Sequence, residues 1–207
     1  HVMTRQQAEF VVRLSVMWLL VGSAEASGAR ETERLMWWNT RGLAVAGTVA
    51  AGFHFTMMAL LKLGAVDAAL TEKAPVAGAL MELTGSAKAL HVLRGWFRAR
   101  GYGLRVLTGS RSDDGTTRNG VAVFFRRDRL RFAASDSAKN GATREEDRLL
   151  RVKLRRKDGS ELEIMAWHGM HTDVGFGRQL TALEEVASTG ESGVVLADVN
   201  RRVCRNH

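Results

Sequence analysis

Short apolar runs of strand length recur along this chain, and several of them are followed directly by a polar side chain. Runs of this length, bounded by polar or turn-forming residues, are typical of buried β-strands. In layered α/β folds, ligand sites collect at the ends of strands. The candidate functional residues are therefore the polar residues at these positions: Asn39, Glu82, His168, Asp198 and Asn200.

The chemical types of these residues indicate a hard cation. Two carboxylates and two carboxamides offer oxygen ligands, which suit Mg²⁺ or Mn²⁺ better than zinc. Any one of these residues could simply turn the chain after a strand, but this explanation fits the whole ordered set less well. The single cysteine, Cys204, excludes an internal disulfide and a zinc site built from paired thiolates.

Composition and charge favour a folded domain with a polyanionic partner. Hydrophobic residues make up 45% of the 207 residues and charged residues 25%, the balance of a soluble globular chain. The net charge of +8 favours a partner such as nucleic acid. Arginine dominates the basic tract from Arg94 to Arg156, and its planar guanidinium suits phosphate. A solvated basic face is the alternative reading of that tract.

Hydrophobic periodicity predicts a mixed α/β layered protein. Helices are expected over Ala50–Leu63, Ala87–Arg100 and Gln179–Ser188, the second with Leu90, Leu93 and Phe97 on one face. Lys157–Ser160 is expected to form a hairpin turn. The expected strands are Leu35–Trp38, Leu104–Leu107, Gly120–Phe125, Leu149–Leu154, Leu162–Trp167 and a buried inner strand over Val194–Leu196, with Ala77–Leu83 as either strand or helix.

Two apolar segments are long enough to be compared with a signal peptide or a membrane-spanning helix. Phe10–Val21 is similar to the core of a signal peptide, but mixed charge precedes it. Gly42–Leu61 lacks Asp, Glu, Lys and Arg over the length of a membrane span. Its glycines and His54 favour a buried helix instead, so no membrane association is expected.

Five motifs in register resemble the endonuclease/exonuclease/phosphatase superfamily, which includes the pancreatic-type DNases, the abasic-site endonucleases and the endonuclease domains of non-LTR retrotransposons. The Asn-Thr-Arg-Gly-Leu opening and the Glu-x-Thr-Gly-Ser block are most similar to the retrotransposon branch. The resemblance covers about residues 34–204. The motifs are Trp38–Leu43, Ala79–Ser86, Arg118–Phe124, Leu162–His168 and Val194–Asn200.

This resemblance implies a DNase-like four-layer α/β/β/α sandwich over residues 34–207, preceded by an extension of unknown role at residues 1–33. The sequence departs from the family at Met81, Ala197 and Val199, where glutamine, glycine and an aromatic residue are usual. The family's closing Ser-Asp-His block is absent, so we expect a domain truncated at the C-terminus. On that expectation, the 207-residue chain would be inactive or nearly so.

The resemblance also assigns chemical roles. Glu82 would bind Mg²⁺ (or Mn²⁺) with help from Asn39, and Asp198 would orient or deprotonate the attacking water. Asn200 would hydrogen-bond the scissile phosphate, and His168 would donate to the phosphate or assist the leaving group. Two rivals stay open, Glu72 for the metal and His171 for the histidine role.

The function implied is a metal-dependent DNA endonuclease of a retrotransposon-like element, inside the cell and in the nucleus. The alternatives are an inactive basic nucleic-acid-binding remnant and a superfamily phosphatase acting on small phosphoesters. Contacts to the backbone of duplex DNA, which give affinity without sequence readout, are expected from the polar residues of the loops. These are Arg41, Arg118, Asn119, Arg126 and Arg127.

Overall fold

The computed structural model describes residues 16–21, 33–45, 48–49, 52–53, 57–85, 87–107, 117–137, 148–169, 181, 184 and 193–198. The helices are α1 (Met57–Lys73) and α2 (Ala87–Ala99). The strands are β1 (Val16–Val21), β2 (Glu33–Val45), β3 (Thr48–Val49), β4 (Gly52–Phe53), β5 (Ala77–Gly85), β6 (Tyr102–Leu107), β7 (Thr117–Arg126), β8 (Leu130–Ser137), β9 (Leu149–Arg156), β10 (Glu161–His168) and β11 (Gly193–Asp198).

The first sheet has the strand order β1-β2-β5-β7-β6. Its central pair, β2 and β5, runs parallel, with Trp38 opposite Leu80, and the other pairs are antiparallel. β1 comes from the segment expected to be an extension, and it pairs along the edge of β2 with Val16 opposite Trp38. The parallel pairing brings the ends of β2 and β5 to the same end of the sheet.

The second sheet has the order β11-β10-β9-β8. β8, β9 and β10 form an antiparallel meander, and β11 returns parallel to β10. The β9–β10 hairpin turns where expected, with Gly159 at a φ of 86° and the Ser160 amide donating to Asp158 Oδ1 at 2.9 Å. A positive φ is readily available to glycine, which is why Asp-Gly favours a tight turn here.

The two sheets stack face to face, and the helices cover the outer face of the first sheet. Alternate residues of β5 divide between these two cores: Ala79 and Met81 face the second sheet, whereas Leu80 faces the helices. Phe97 of α2 stacks on Phe124 of β7 at 5.5 Å in the helix-facing core. The arrangement confirms the expected α/β sandwich. Of the helix expected over Gln179–Ser188, only 181 and 184 are described, both helical.

The structure corrects several predicted elements. The helix expected over Ala50–Leu63 was wrong in its extent, because β3 and β4 pair as a short hairpin and the helix runs over Met57–Lys73. β8 was not predicted. The strand expected to be buried over Val194–Leu196 is β11, an edge strand of the described sheet with Val195 39% exposed. Among the described residues, no helix has the length and apolar character required to cross a membrane.

Candidate active site

A β-bulge at the end of β5 sets the position of Glu82. The pairing of β5 slips against β2 after Asn39 and against β7 between Leu80 and Leu83. Glu82 has a φ of 57°, in the left-handed region that side chains other than glycine rarely occupy. Leu80 and Leu83 therefore both enter the helix-facing core, although strict alternation would place them on opposite faces. The extra residue, Glu82, is diverted to the sheet end.

Thr40 holds this bulge from the neighbouring strand. Its side chain is 1% exposed, and its hydroxyl donates to the Met81 carbonyl oxygen at 2.6 Å. The Glu82 carbonyl oxygen lies 3.3 Å from the same hydroxyl. A buried carbonyl freed from a regular ladder needs such a donor, so Thr40 stabilises the backbone that carries Glu82. The sequence signal for Thr40 was its place inside the motif Trp38–Leu43.

The second sheet contributes two adjacent strand ends. β10 and β11 are parallel, and His168 lies opposite Asp198 in their register. The Gly169 amide donates to the Asp198 carbonyl oxygen at 2.6 Å, which continues the ladder past the last paired residues. The two side chains therefore emerge side by side from the end of the second sheet.

Four of the predicted side chains meet across the two sheets. His168 and Asp198 end their strands, as expected, whereas β2 continues past Asn39 to Val45 and β5 continues past Glu82 to Gly85. Asn39 Nδ2 donates to Glu82 Oε1 at 2.8 Å and also donates to Asp198 Oδ2. His168 Nε2 lies 3.4 Å from Glu82 Oε1. One ligand atom from each of Glu82, His168 and Asp198 lies within 4.8 Å of the others. Asn39, Glu82, His168 and Asp198 are named below as the strand-end cluster.

Arg148 extends the strand-end cluster beneath His168. The imidazole is 2% exposed, and its Nδ1 lies 3.4 Å from Arg148 Nη1. The His168 amide also donates to the Arg148 carbonyl oxygen at 3.0 Å. Burial lowers the pKa of Arg148, and the nearby Glu82 carboxylate acts in the opposite direction. Sequence reasoning missed Arg148, whose signal was its position just before the strand β9.

The donor chemistry of the strand-end cluster fits a divalent cation. Glu82 and Asp198 bring two carboxylates to one amide group, so their negative charges lie close together. Carboxylate oxygens are the ligands that a hard divalent cation prefers, and the side-chain oxygen of Asn39 could add to them, whereas its Nδ2 donates to both carboxylates here. A cation held there would offset the mutual repulsion of the two carboxylates.

Other residues predicted for the site lie elsewhere or outside the described residues. Glu72, the rival metal ligand, is exposed on α1 and is not part of the strand-end cluster. Asn200 and His171 lie outside the described residues, and only the backbone of Arg41, Arg118 and Asn119 is described, in β2 and β7.

Arg126 and Arg127 lie at the opposite end of the first sheet from Glu82. The Arg126 amide donates to the carbonyl oxygen of Val76, at the start of β5. The Arg126 guanidinium pairs with Asp128, with Nε 3.0 Å from Oδ1. Arg127 is exposed in the turn between β7 and β8. The structure therefore does not bring these two arginines to the strand-end cluster.

Known proteins share this fold at low sequence identity. No family model matches the sequence, and no curated protein matches it either. The catalytic domain of human Nocturnin, solved with a bound sulfate anion, matches with a TM-score of 0.59 and 16% identity over 94% of this chain and 70% of that one. An endonuclease/exonuclease/phosphatase from Bacteroides vulgatus matches with a TM-score of 0.52 and 18% identity over 68% of this chain.

ANGEL2, described as a 2′,3′-cyclic phosphatase, matches with a TM-score of 0.54 and 13% identity over 69% of this chain. This chain spans 57% of the length of the Bacteroides protein and 44% of that of ANGEL2. The fold is therefore that of these endonuclease/exonuclease/phosphatase structures, an α/β sandwich of two sheets.

Proposed function

We propose that this chain is the catalytic domain of a divalent-metal-dependent phosphodiester hydrolase that cleaves DNA, of the kind found in retrotransposon-like elements. The observation that carries the proposal is the hydrogen bonding of Asn39 to both Glu82 and Asp198, at the strand ends of this fold. The retrotransposon assignment rests on the resemblance of Trp38–Leu43 and Glu82–Ser86 to that branch, and it predicts a nuclear location.

The roles follow from the chemistry of each side chain. A divalent cation held by Glu82 and Asn39 would polarise a phosphoryl oxygen and stabilise the leaving oxyanion. Asp198 would orient the attacking water and accept its proton while the water oxygen bonds to phosphorus and the P–O bond to the leaving group breaks. His168, whose Nε2 lies 3.4 Å from Glu82 Oε1, would donate to the phosphate or assist the leaving group, and Asn200 would hydrogen-bond the phosphate.

The net charge of the chain favours a polymeric substrate. A charge of +8, supplied mostly by arginine, attracts the phosphate backbone of DNA and gives little advantage with a small monoester. A phosphatase acting on small phosphoesters is the second candidate, because ANGEL2 has the same fold and is described as a 2′,3′-cyclic phosphatase. An inactive protein that only binds nucleic acid is the third.

The test compares Glu82→Gln with Glu72→Gln. Glutamine keeps the size of each side chain and removes its charge, and both variants lose one carboxylate. We expect Glu82→Gln to weaken Mn²⁺ binding of this chain, followed by electron paramagnetic resonance. In a version of the domain completed with the closing Ser-Asp-His block, we expect it to lower nicking of supercoiled plasmid by about a hundredfold or more. Glu72→Gln should behave as the wild type in both assays, because Glu72 is exposed on α1.

The outcomes separate the candidates. Loss of Mn²⁺ binding in Glu72→Gln with no loss in Glu82→Gln would contradict the assignment of the metal ligand. Hydrolysis of a 2′,3′-cyclic nucleotide but not of plasmid would favour the phosphatase. DNA binding with neither Mn²⁺ binding nor hydrolysis would favour the inactive binding protein.

A further inference from the structure

A groove lined by arginines lies at the edge of the sandwich, away from the strand-end cluster. It has a volume of about 550 Å³ and lies between α2, the edge strand β6 of the first sheet and the edge strand β8 of the second. No Asp or Glu is among its described lining residues. Its cationic residues are Arg94, Arg98, Arg105, Arg127 and Arg131, named below as the arginine groove.

The arginines of the groove differ from most others that the structure describes. Outside the groove, five arginines pair with carboxylates. Within the described part of the chain, none of the five groove guanidinium groups forms an ion pair. Like charges gathered without a counter-charge repel one another, so an anion from outside the chain would stabilise the groove. The paired arginines elsewhere are Arg100, Arg126, Arg151, Arg155 and Arg156.

Arg105 lies on the edge strand β6, where its side chain is exposed. On β6, Leu104 faces the helices, so the alternation directs Arg105 toward the space between the sheets, like its cross-strand partner Val123. Its guanidinium carbon lies 3.5 Å from the centre of the Phe132 ring. Partial burial and the nearby Arg94 both lower the pKa of Arg105.

The chemistry of the groove fits phosphates repeated along a strand. Each cationic residue is an arginine, whose planar donors bind phosphate in pairs. Arg94 and Arg98 are four residues apart on α2, which puts their Cβ atoms about 5–6 Å apart on one face. The Arg105 guanidinium lies over the Phe132 ring, a contact that favours a cation.

We infer that the arginine groove binds the phosphate backbone of a single nucleic-acid strand at a site separate from the strand-end cluster. Arg105 of β6 pairs with Val123 of β7, and Val123 pairs with Ala79 of β5. Ala79 is three residues before Glu82, and β6 is two strands away from β5. Strand spacing makes that about 10 Å along the sheet and about 10 Å across it. The groove would bind a strand whether or not the strand-end cluster hydrolyses phosphoesters.

The test measures binding of a fluorescent single-stranded oligonucleotide to the full chain in EDTA, where hydrolysis does not interfere. The groove variant combines Arg98→Gln, Arg105→Gln and Arg131→Gln. The control variant combines Lys73→Gln, Arg155→Gln and Lys157→Gln, which removes the same charge from exposed positions outside the groove. Circular dichroism and thermal unfolding check that both variants are folded.

We expect the groove variant to bind the oligonucleotide at least about tenfold more weakly, and the slope of log affinity against log salt to shrink by about two units. The control variant should keep nearly all of the wild-type slope. Single substitutions Arg98→Gln and Arg131→Gln, both at exposed positions, should each give part of the loss, so the result does not depend on the triple variant being stable.

Equal losses in the groove and control variants would overturn the inference, because they would show an effect of net charge alone. It would also be overturned if the groove variant lost binding of inorganic tripolyphosphate but kept binding of the oligonucleotide, which would identify a site for free anions. A loss of affinity for a fluorescent polyglutamate peptide equal to that for the oligonucleotide would identify an acidic-peptide site instead.

Discussion

Asn39 and Asp198 are 159 residues apart in sequence and come from different sheets, yet the side-chain amide of Asn39 donates directly to the Asp198 carboxylate. The same amide donates to Glu82 at 2.8 Å. One neutral side chain therefore links two carboxylates that would otherwise repel each other, and it joins the two sheets at the strand-end cluster.

Replacing that amide by a carboxylate should make stability depend on a divalent cation. In Asn39→Asp, a third carboxylate takes the place of the donor between Glu82 and Asp198. We expect the free energy of unfolding in EDTA to fall by about 1–3 kcal/mol. Excess MgCl₂ should restore most of that loss, as followed by urea denaturation.

Asn39→Leu is the matched control, because it also removes the donor but adds no ligand. It should be destabilised in EDTA and should recover less in MgCl₂ than Asn39→Asp does. Equal recovery of the two variants would contradict a cation site at this position.

The bulge that carries Glu82 should depend on the Thr40 hydroxyl. Thr40→Val keeps the shape of the side chain but removes the donor to the buried Met81 carbonyl oxygen. We expect a loss of about 1–3 kcal/mol in the free energy of unfolding, measured in urea. Thr40→Ser keeps the hydroxyl and should lose less. A Thr40→Val protein as stable as the wild type would show that the bulge does not need this hydrogen bond.

Two glycines should respond in opposite directions to the same substitution. A Cβ at Gly78 would overlap the Met36 carbonyl oxygen and lie 2.5 Å from the Phe124 ring, so Gly78→Ala should destabilise by about 2–4 kcal/mol. A Cβ at Gly95 in α2 would meet nothing within 4 Å, so Gly95→Ala should stabilise by up to about 1 kcal/mol. Thermal unfolding of both variants checks the pair, and similar shifts in Tm would contradict the packing described for β5.

Tyr102 should titrate far above its ordinary range. Burial raises the pKa of Tyr102 to about 12, Arg126 opposes this, and the hydroxyl donates to the Pro75 carbonyl oxygen at 3.1 Å. Because Tyr102 is the only tyrosine in the sequence, ultraviolet absorbance of tyrosinate reports this residue alone. We expect a midpoint near 12 in the folded protein and near 10.0 after unfolding in urea.

The raised pKa of Tyr102 makes the free energy of unfolding decrease at alkaline pH. The raised pKa favours the folded state below pH 10.0, and this contribution is lost as the pH rises from 10.0 toward about 12, where the unfolded state loses its proton first. The slope is at most about 1.4 kcal/mol per pH unit. Tyr102→Phe should remove that part of the alkaline loss, and an unchanged pH dependence in Tyr102→Phe would contradict it.

The sequence predicted well those elements whose apolar period was regular. α2 and β10 were expected almost at their observed positions, because their hydrophobic residues recur at the spacing of one face or in an unbroken run. α1 was misplaced because Gly42–Leu61 is apolar without a period, and a pairing between Thr48 and Phe53 decides where the strands end and the helix begins. Such a pairing is a contact between two segments, and the hydrophobic pattern within each segment does not predict it.

In the candidate site too, the sequence predicted what depends on local pattern and missed what depends on contacts between segments. The chemical types at the strand ends were readable in the sequence, and the structure brings four of those residues together. The bulge at Glu82 and the position of Arg148 depend on how β5 slips against two neighbours at once and on how the second sheet packs. Glu163 makes the same point, because it is 5% exposed and bound to Arg151, although an isolated glutamate on a strand suggests an exposed face.

The division of the strand-end cluster between two sheets also governs when the site comes into existence during folding. Asn39 and Glu82 come from the first sheet, and His168 and Asp198 from the second. A partly folded chain with either sheet formed alone would bring only one of the two carboxylates into place. Chemistry at this site therefore waits for the docking of the sheets, and the onset of metal affinity in a refolding experiment would time that docking.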